Sequence, residues 1–126
     1  MQLPVRASAL DVSWKDALTE RLVRCFGEQL PPGVFYDEAH YAHFWVTMKL
    51  NQDGSLAAEP AVTTVERGSD SRYKIATEAA LRAIRTCAPY KFLPVARFDI
   101  WKSIEPDFDT RVIEDTRSSR YATRRD

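Results

Sequence analysis

Two cysteines, two histidines and a close pair of aspartates are the residues of this 126-residue sequence whose types could do chemistry. Cys25 lies in "RCFG", and Cys87 in "IRTCAPYKFLP", where a cysteine ends a run of helix formers and two prolines follow. A thiol so placed could be a redox nucleophile, a metal ligand, half of a disulfide or a buried group at a helix stop. Zinc is disfavoured, because the two cysteines are far apart and have neither a close CxxC nor a third ligand. His40 and His43 stand three apart. On a strand that spacing points them to opposite faces, so they do not chelate one ion together and read as ordinary surface histidines. Asp107 and Asp109 share a face, as a carboxylate pair for general acid and base work requires. No partnering histidine, Ser-His-Asp or Cys-His arrangement or glycine-rich phosphate loop goes with them. The expectation is therefore no enzyme, no metal and no cofactor.

The elements that would position these residues follow from periodicity. In "SWKDALTERLVRCF", Ser13 to Phe26, the residues Trp14, Leu18, Leu22, Cys25 and Phe26 recur at spacings of three and four and draw an apolar helical stripe. Ser13 or Asp11 would cap this helix, Gly27 would stop it, and "LPPG" would turn the chain. From Tyr41 to Leu50 the pattern alternates: Ala42, Phe44, Val46, Met48 and Leu50 fall on one face of a strand. Tyr41, Trp45 and Thr47 fall on the other. Two aromatics on a solvent face are the kind of residue from which binding hot spots are made, unless they pack under the tail or the "VFYDE" segment.

"NQDG" then turns the chain into "SLAAEPAVTTV", giving a hairpin whose second strand lies at an edge or carries a break, because Pro60 lacks a ladder donor. Tyr73 to Cys87 is a second, alanine-rich helix, capped by Ser69 or Ser71 and ended by Pro89. Val95 to Trp101 reads as a short helical turn. "KSIEPDFD" reads as a last strand with Ile104 and Phe108 toward the core, and Pro106 again argues for an edge. Along Ile104 to Phe108 the unpaired backbone would accept a partner strand.

The order helix, strand, strand, helix, strand predicts an α+β fold: a three-stranded antiparallel sheet with two helices on one face. The length suits one domain over residues 13–113, with a flexible N-terminal segment over 1–12 and a mobile polar tail over 114–126. Eighteen basic and eighteen acidic residues cancel, so no global field recruits nucleic acid or an anionic membrane. No stretch approaches the roughly 20 apolar residues of a membrane helix, and "MQLPVRASALDVSW" lacks the apolar centre of a signal peptide.

Three stretches together resemble a known family. "VTMKLNQDGSLAAEP", Val46 to Pro60, is followed by "ATEAALRAIRTCAPYKFLP", Ala76 to Pro94, and by "DIWKSIEPDFD", Asp99 to Asp109. This sequence resembles the C-terminal periplasmic domain of the TolA proteins, in the version found in alphaproteobacteria, within the wider TolA/TonB C-terminal domain superfamily. The specific part is the combination of an "LNxDGSL" turn, "RxCxPYxxLP" and a downstream "WKxI" and "FD", over roughly residues 13 to 110. Pro106 departs from the family, which usually has a strand-forming apolar residue there. So does the lack of an N-terminal membrane anchor, which leaves either an excised domain or a stand-alone relative.

The resemblance implies a binding domain of the Tol-Pal system that links inner-membrane machinery to outer-membrane partners and supports envelope integrity. TolB and Pal are the partners it implies, and colicins and filamentous phage proteins exploit the same domain. Contact with a membrane would come only through the missing anchor. A TonB-like transducer docking on outer membrane transporters is the alternative, and a small ligand-binding or enzymatic domain of the same topology a more distant one. The periplasm the family implies is oxidising. If the two helices run parallel over one sheet face, their C-terminal ends meet, so a Cys25–Cys87 disulfide is expected, against a pair of buried reduced thiols.

Overall fold

The structure, a computed structural model, describes residues 2–68 and 70–113, with side chains from Ser13 onward. The tail expected over 114–126 lies outside the described residues. Helix α1 (Gln2–Gln29) is followed by strands β1 (His43–Lys49) and β2 (Ala61–Arg67) and helix α2 (Ser71–Cys87). A 3-10 turn (Val95–Arg97) then leads into the short α3 (Phe98–Trp101), β3 (Ser103–Ile104) and β4 (Asp107–Asp109). The architecture is α+β, with a small antiparallel sheet and flanking helices.

The alternation in β1 decides which side of the sheet is inside. Phe44, Val46 and Met48 are fully buried, and burying each side chain contributes about 2 kcal/mol. Phe26 of α1 and Tyr73 of α2 both meet the Phe44 ring edge-on, at 6.5 and 6.1 Å, so both helices cover this one face. β1 is central. β2 flanks it on one side, with Trp45 opposite Thr64 and Thr47 opposite Ala61. On the other side β3 pairs with Met48 and Lys49, while β4 pairs with His43, Phe44 and Trp45. The expected last strand is thus present in two pieces. Glu105 and Pro106 interrupt it because proline has no N–H for the ladder, although the Pro106 carbonyl still accepts from Val46 N at 3.0 Å.

α1 does not stop at Gly27. A stopping glycine adopts positive φ, and the glycines that do so are Gly33, Gly54 and Gly68. Gly27 instead lies within the helix, where a Cβ would be in ordinary contact with Ile113, 3.7 Å away. α2 carries its buried face on Ala76, Ala79, Ala80, Ala83 and Ile84. Its cap is neither of the expected serines. Asp70 accepts hydrogen bonds from Arg72 N and Tyr73 N, and Ser69 lies outside the described residues.

The helices also run in opposite senses where they touch. Arg21 Nη2 donates to the Cys87 carbonyl at 3.2 Å, whereas Arg82 Nε, earlier in α2, donates to Gln29 Oε1 at 2.9 Å, later in α1. The parallel arrangement expected from the sequence is therefore corrected. The Cys25–Cys87 disulfide is formed nonetheless, with Cα atoms 6.5 Å apart, since α1 passes the end of α2 at Cys25.

Past α2 the chain enters the Ala88–Pro89 peptide, which is cis, and then Tyr90. Tyr90 is fully buried and donates through its hydroxyl to the Ile84 carbonyl at 2.8 Å. Burial pushes its phenol up to about 12, against the opposing charge of Arg21. Tyr90 N donates to Gly54 O at 2.8 Å, and a Cβ at Gly54 would sit 2.8 Å from that nitrogen. The hairpin turn "NQDG" and the segment "APY" therefore meet at a position only glycine can hold, since Gly54 has φ +86° as well.

Candidate interaction face

The side of the sheet turned away from the helices is built from the other half of the β1 alternation. His43, Trp45 and Thr47 stand along it, each half-buried, and the Tyr41 that precedes β1 continues the row. The three partner-binding residues expected on this face, Tyr41, Trp45 and Thr47, are therefore together.

His43 is the organising group, and it is no ordinary surface histidine. Its side chain is only 13% exposed, between a carboxylate from each neighbouring strand. Nε2 lies 2.9 Å from Asp107 Oδ2 on β4. Nδ1 lies 2.8 Å from Glu66 Oε2 on β2, too far out of line for a hydrogen bond, so that contact is ionic. The imidazole stacks on Trp45, with ring centres 4.5 Å apart. Burial disfavours its charged form. The Asp107 hydrogen bond and the charges of Asp109 and Glu66 outweigh that and hold its pKa above the ordinary 6.5.

A pH dependence follows. A histidine whose folded pKa is raised stabilises the fold fully below the unfolded value, and this stabilisation disappears as pH rises through the folded value. His43→Gln should therefore lower the melting temperature most below the ordinary histidine pKa of 6.5, with the gap to the parent closing as pH rises above it. The effect is small, about 1 kcal/mol or less, because Glu66 and Asp107 are half exposed. A gap that widens with pH in parallel melting curves would show that His43 is not held as the cation.

Tyr41 is not a bare aromatic either. The Arg111 guanidinium lies 3.7 Å from its ring centre and Arg67 4.9 Å. Arg111 is held by Asp109 at 2.7 Å and by Glu38 at 3.3 Å. Burial pushes the Asp109 carboxyl up, and the Arg111 hydrogen bonds and charge bring it below the usual value. From "VFYDE", then, Glu38 reaches the rim of this face, while Tyr36 is buried and donates to the Arg72 carbonyl. Thr47 Oγ1 makes only a long 3.5 Å contact with Glu105.

The edge residues divide. Ile104 is half-buried against the core at the rim. Phe108 is 3% exposed, stacked on Phe44 at 5.8 Å and edge-on to Phe26 at 5.1 Å. At Phe108 only backbone remains for a partner. Among the described residues no strand pairs with the far side of β3 or β4.

This arrangement is suited to recognition. An aromatic and imidazole centre lies between carboxylates, and its arginines are already engaged. Among the described residues no group of three His, Cys, Asp or Glu side chains is placed to hold a metal, and no helix is long and apolar enough to cross a membrane. The role of His43 was beyond the sequence because Asp107, one of its partners, is 64 residues away. Comparison with protein-family models, curated proteins and solved structures finds no match for the chain.

Proposed function

We propose that this chain is a protein-interaction domain of the TolA type, acting in the periplasm within a Tol-Pal system that joins the inner membrane to outer-membrane partners. The observation that carries the reading is the side of β1 turned away from the helices, where half-buried Trp45 and Tyr41 stand on the sheet whose β3 and β4 edge is unpaired among the described residues. Aromatic anchors next to an open strand edge offer both a hot spot and a backbone template. Two further features support it. The α+β architecture, a small antiparallel sheet with flanking helices, is of the kind the resemblance implies. The Cys25–Cys87 disulfide suits an oxidising compartment. The partners proposed are TolB and Pal, with colicins and filamentous phage proteins as opportunistic ligands, and no bond is made or broken.

The test is capture of purified TolB and Pal by the immobilised oxidised protein. At least one should be retained, and Trp45→Ala, which touches no core residue on the helix side, should weaken retention about tenfold or more. Recovery of neither partner overturns the assignment.

A further inference from the structure

Glu66 is the extra residue of a bulge. On β2, Arg67 stands opposite His43 and Val65 opposite Phe44, so Glu66 between them has no partner residue on β1. Glu66 and Arg67 both serve the side of the sheet turned away from the helices, Glu66 meeting the His43 ring and Arg67 the Tyr41 ring. Arg67 Nη2 also donates to the Ala39 carbonyl at 2.9 Å and so braces the segment that leads into Tyr41. Where the bulge interrupts the ladder, the Glu66 contact is a side-chain tie between this end of β2 and β1.

The His43 imidazole faces two carboxylates, with Nδ1 2.8 Å from Glu66 and Nε2 2.9 Å from Asp107. The cation carries a proton on both nitrogens, whereas the neutral ring has a donor at one and a lone pair at the other. The aligned hydrogen bond is the one to Asp107, which keeps its proton on Nε2, so the proton that leaves is the one on Nδ1. Glu66 then faces a lone pair. Nδ1 is closed to solvent, so no water enters to bridge the two, and the half-exposed Glu66 carboxylate turns outward.

The other charges around the ring are engaged elsewhere. On β4, Asp109 stands opposite His43 and holds Arg111. On β2, Arg67 is directed to Tyr41 and Ala39. In the segment before β1, Glu38 is paired with Arg111 and His40 with Asp37. The helices cover the opposite side of β1, at Phe44.

We propose that the interaction face carries a proton-operated clasp: with His43 a cation, Glu66 and Asp107 tie both neighbouring strands to β1, and loss of the Nδ1 proton releases Glu66, frees the bulged end of β2 and withdraws Arg67 from Tyr41. One proton thus sets how Tyr41 is presented. That this face binds a partner rests on the reading above, whereas the clasp itself does not. The clasp is closed below the folded His43 pKa and open above it. Against burial, the Asp107 hydrogen bond and the charges of Asp109 and Glu66 hold that value above 6.5.

The test is a nuclear magnetic resonance titration of the full oxidised chain, labelled with nitrogen-15 and carbon-13, with no partner present. On the alkaline side the His43 ring should be the Nε2–H tautomer, read from its two nitrogen shifts. The nuclear Overhauser contact between Arg67 and the Tyr41 ring should be lost with the same midpoint as the His43 titration. The contact of Arg111 with Tyr41 depends on Asp109 and Glu38 and should persist, which reports that the fold is intact. Glu66→Gln keeps the side-chain length and offers Nδ1 an amide donor. It should lower the proton affinity of His43 about threefold and retain the Arg67 contact throughout the titration.

An Nδ1–H tautomer, a midpoint below 6.5, an Arg67 contact indifferent to the His43 titration, or one lost equally in Glu66→Gln overturns the proposal. These readings need no partner, so they decide the clasp whether or not TolB or Pal is retained.

Discussion

Removing the Cys25–Cys87 bridge should lower the stability of the domain by about 4 kcal/mol, read from the denaturant midpoint of the Cys25→Ala/Cys87→Ala variant against the oxidised parent. The bridged residues are 62 apart in sequence, and the loop-closure entropy removed from the unfolded chain grows with the logarithm of that separation. The native state adds to the effect. Between the helices the hydrogen bonds near the bridge are those of Arg21 with the Cys87 carbonyl and of Arg82 with Gln29, both at least partly exposed. Each contributes about 1 kcal/mol at most. Both cysteines should be replaced together, since a lone thiol could pair between molecules. Reducing agent should bring the parent to nearly the midpoint of the double variant. A double variant within about 1 kcal/mol of the oxidised protein would mean that the unfolded chain is not constrained as its loop length implies.

Phe108→Ala should cost about 3 to 4 kcal/mol, although Phe108 belongs to a strand of only three residues at the rim of the sheet. The ring lies inside, parallel to Phe44 and edge-on to Phe26, so it joins α1 to the central strand. Truncation leaves a cavity where sheet and helix meet. Trp45→Ala, on the opposite side of the sheet, should cost less than Phe108→Ala, since the Trp45 ring is only half-buried and its ring contact is with His43 outside the core. The contrast matters for reading any binding experiment. Loss of partner capture in Phe108→Ala reports a loosened core, whereas loss in Trp45→Ala with an unchanged melting curve reports the face itself. A Phe108→Ala protein that melts within about 1 kcal/mol of the parent would refute the packing argument.

What the sequence made legible follows the range of the interactions involved. The β1 alternation through Phe44, Val46 and Met48, and the buried alanines of α2, are local periodicities, and they set the core side of both elements. Pro60 and Pro106 correctly marked outer strands, because a missing N–H is a local property. Partners distant in sequence were hidden. Gly27 looked like a helix stop, but Ile113 packs on it. The cysteines were paired correctly while the helix directions were not, since bringing two helix positions together does not require parallel axes. The His43 clasp requires Glu66 and Asp107 from two other strands.

The same disulfide changes how the domain would respond to tension. Pulled from its two ends, the chain could extend only before Cys25 and after Cys87. The intervening 62-residue separation, which includes the whole hairpin and nearly all of α2, stays outside the loaded path. That withholds roughly 220 Å of contour length at about 3.5 Å per residue. In the coupling role proposed above, load would pass from α1 through the covalent bond to the chain after Cys87, so β1, which presents Trp45, and β2 stay unstretched while β3 and β4 lie in the loaded path.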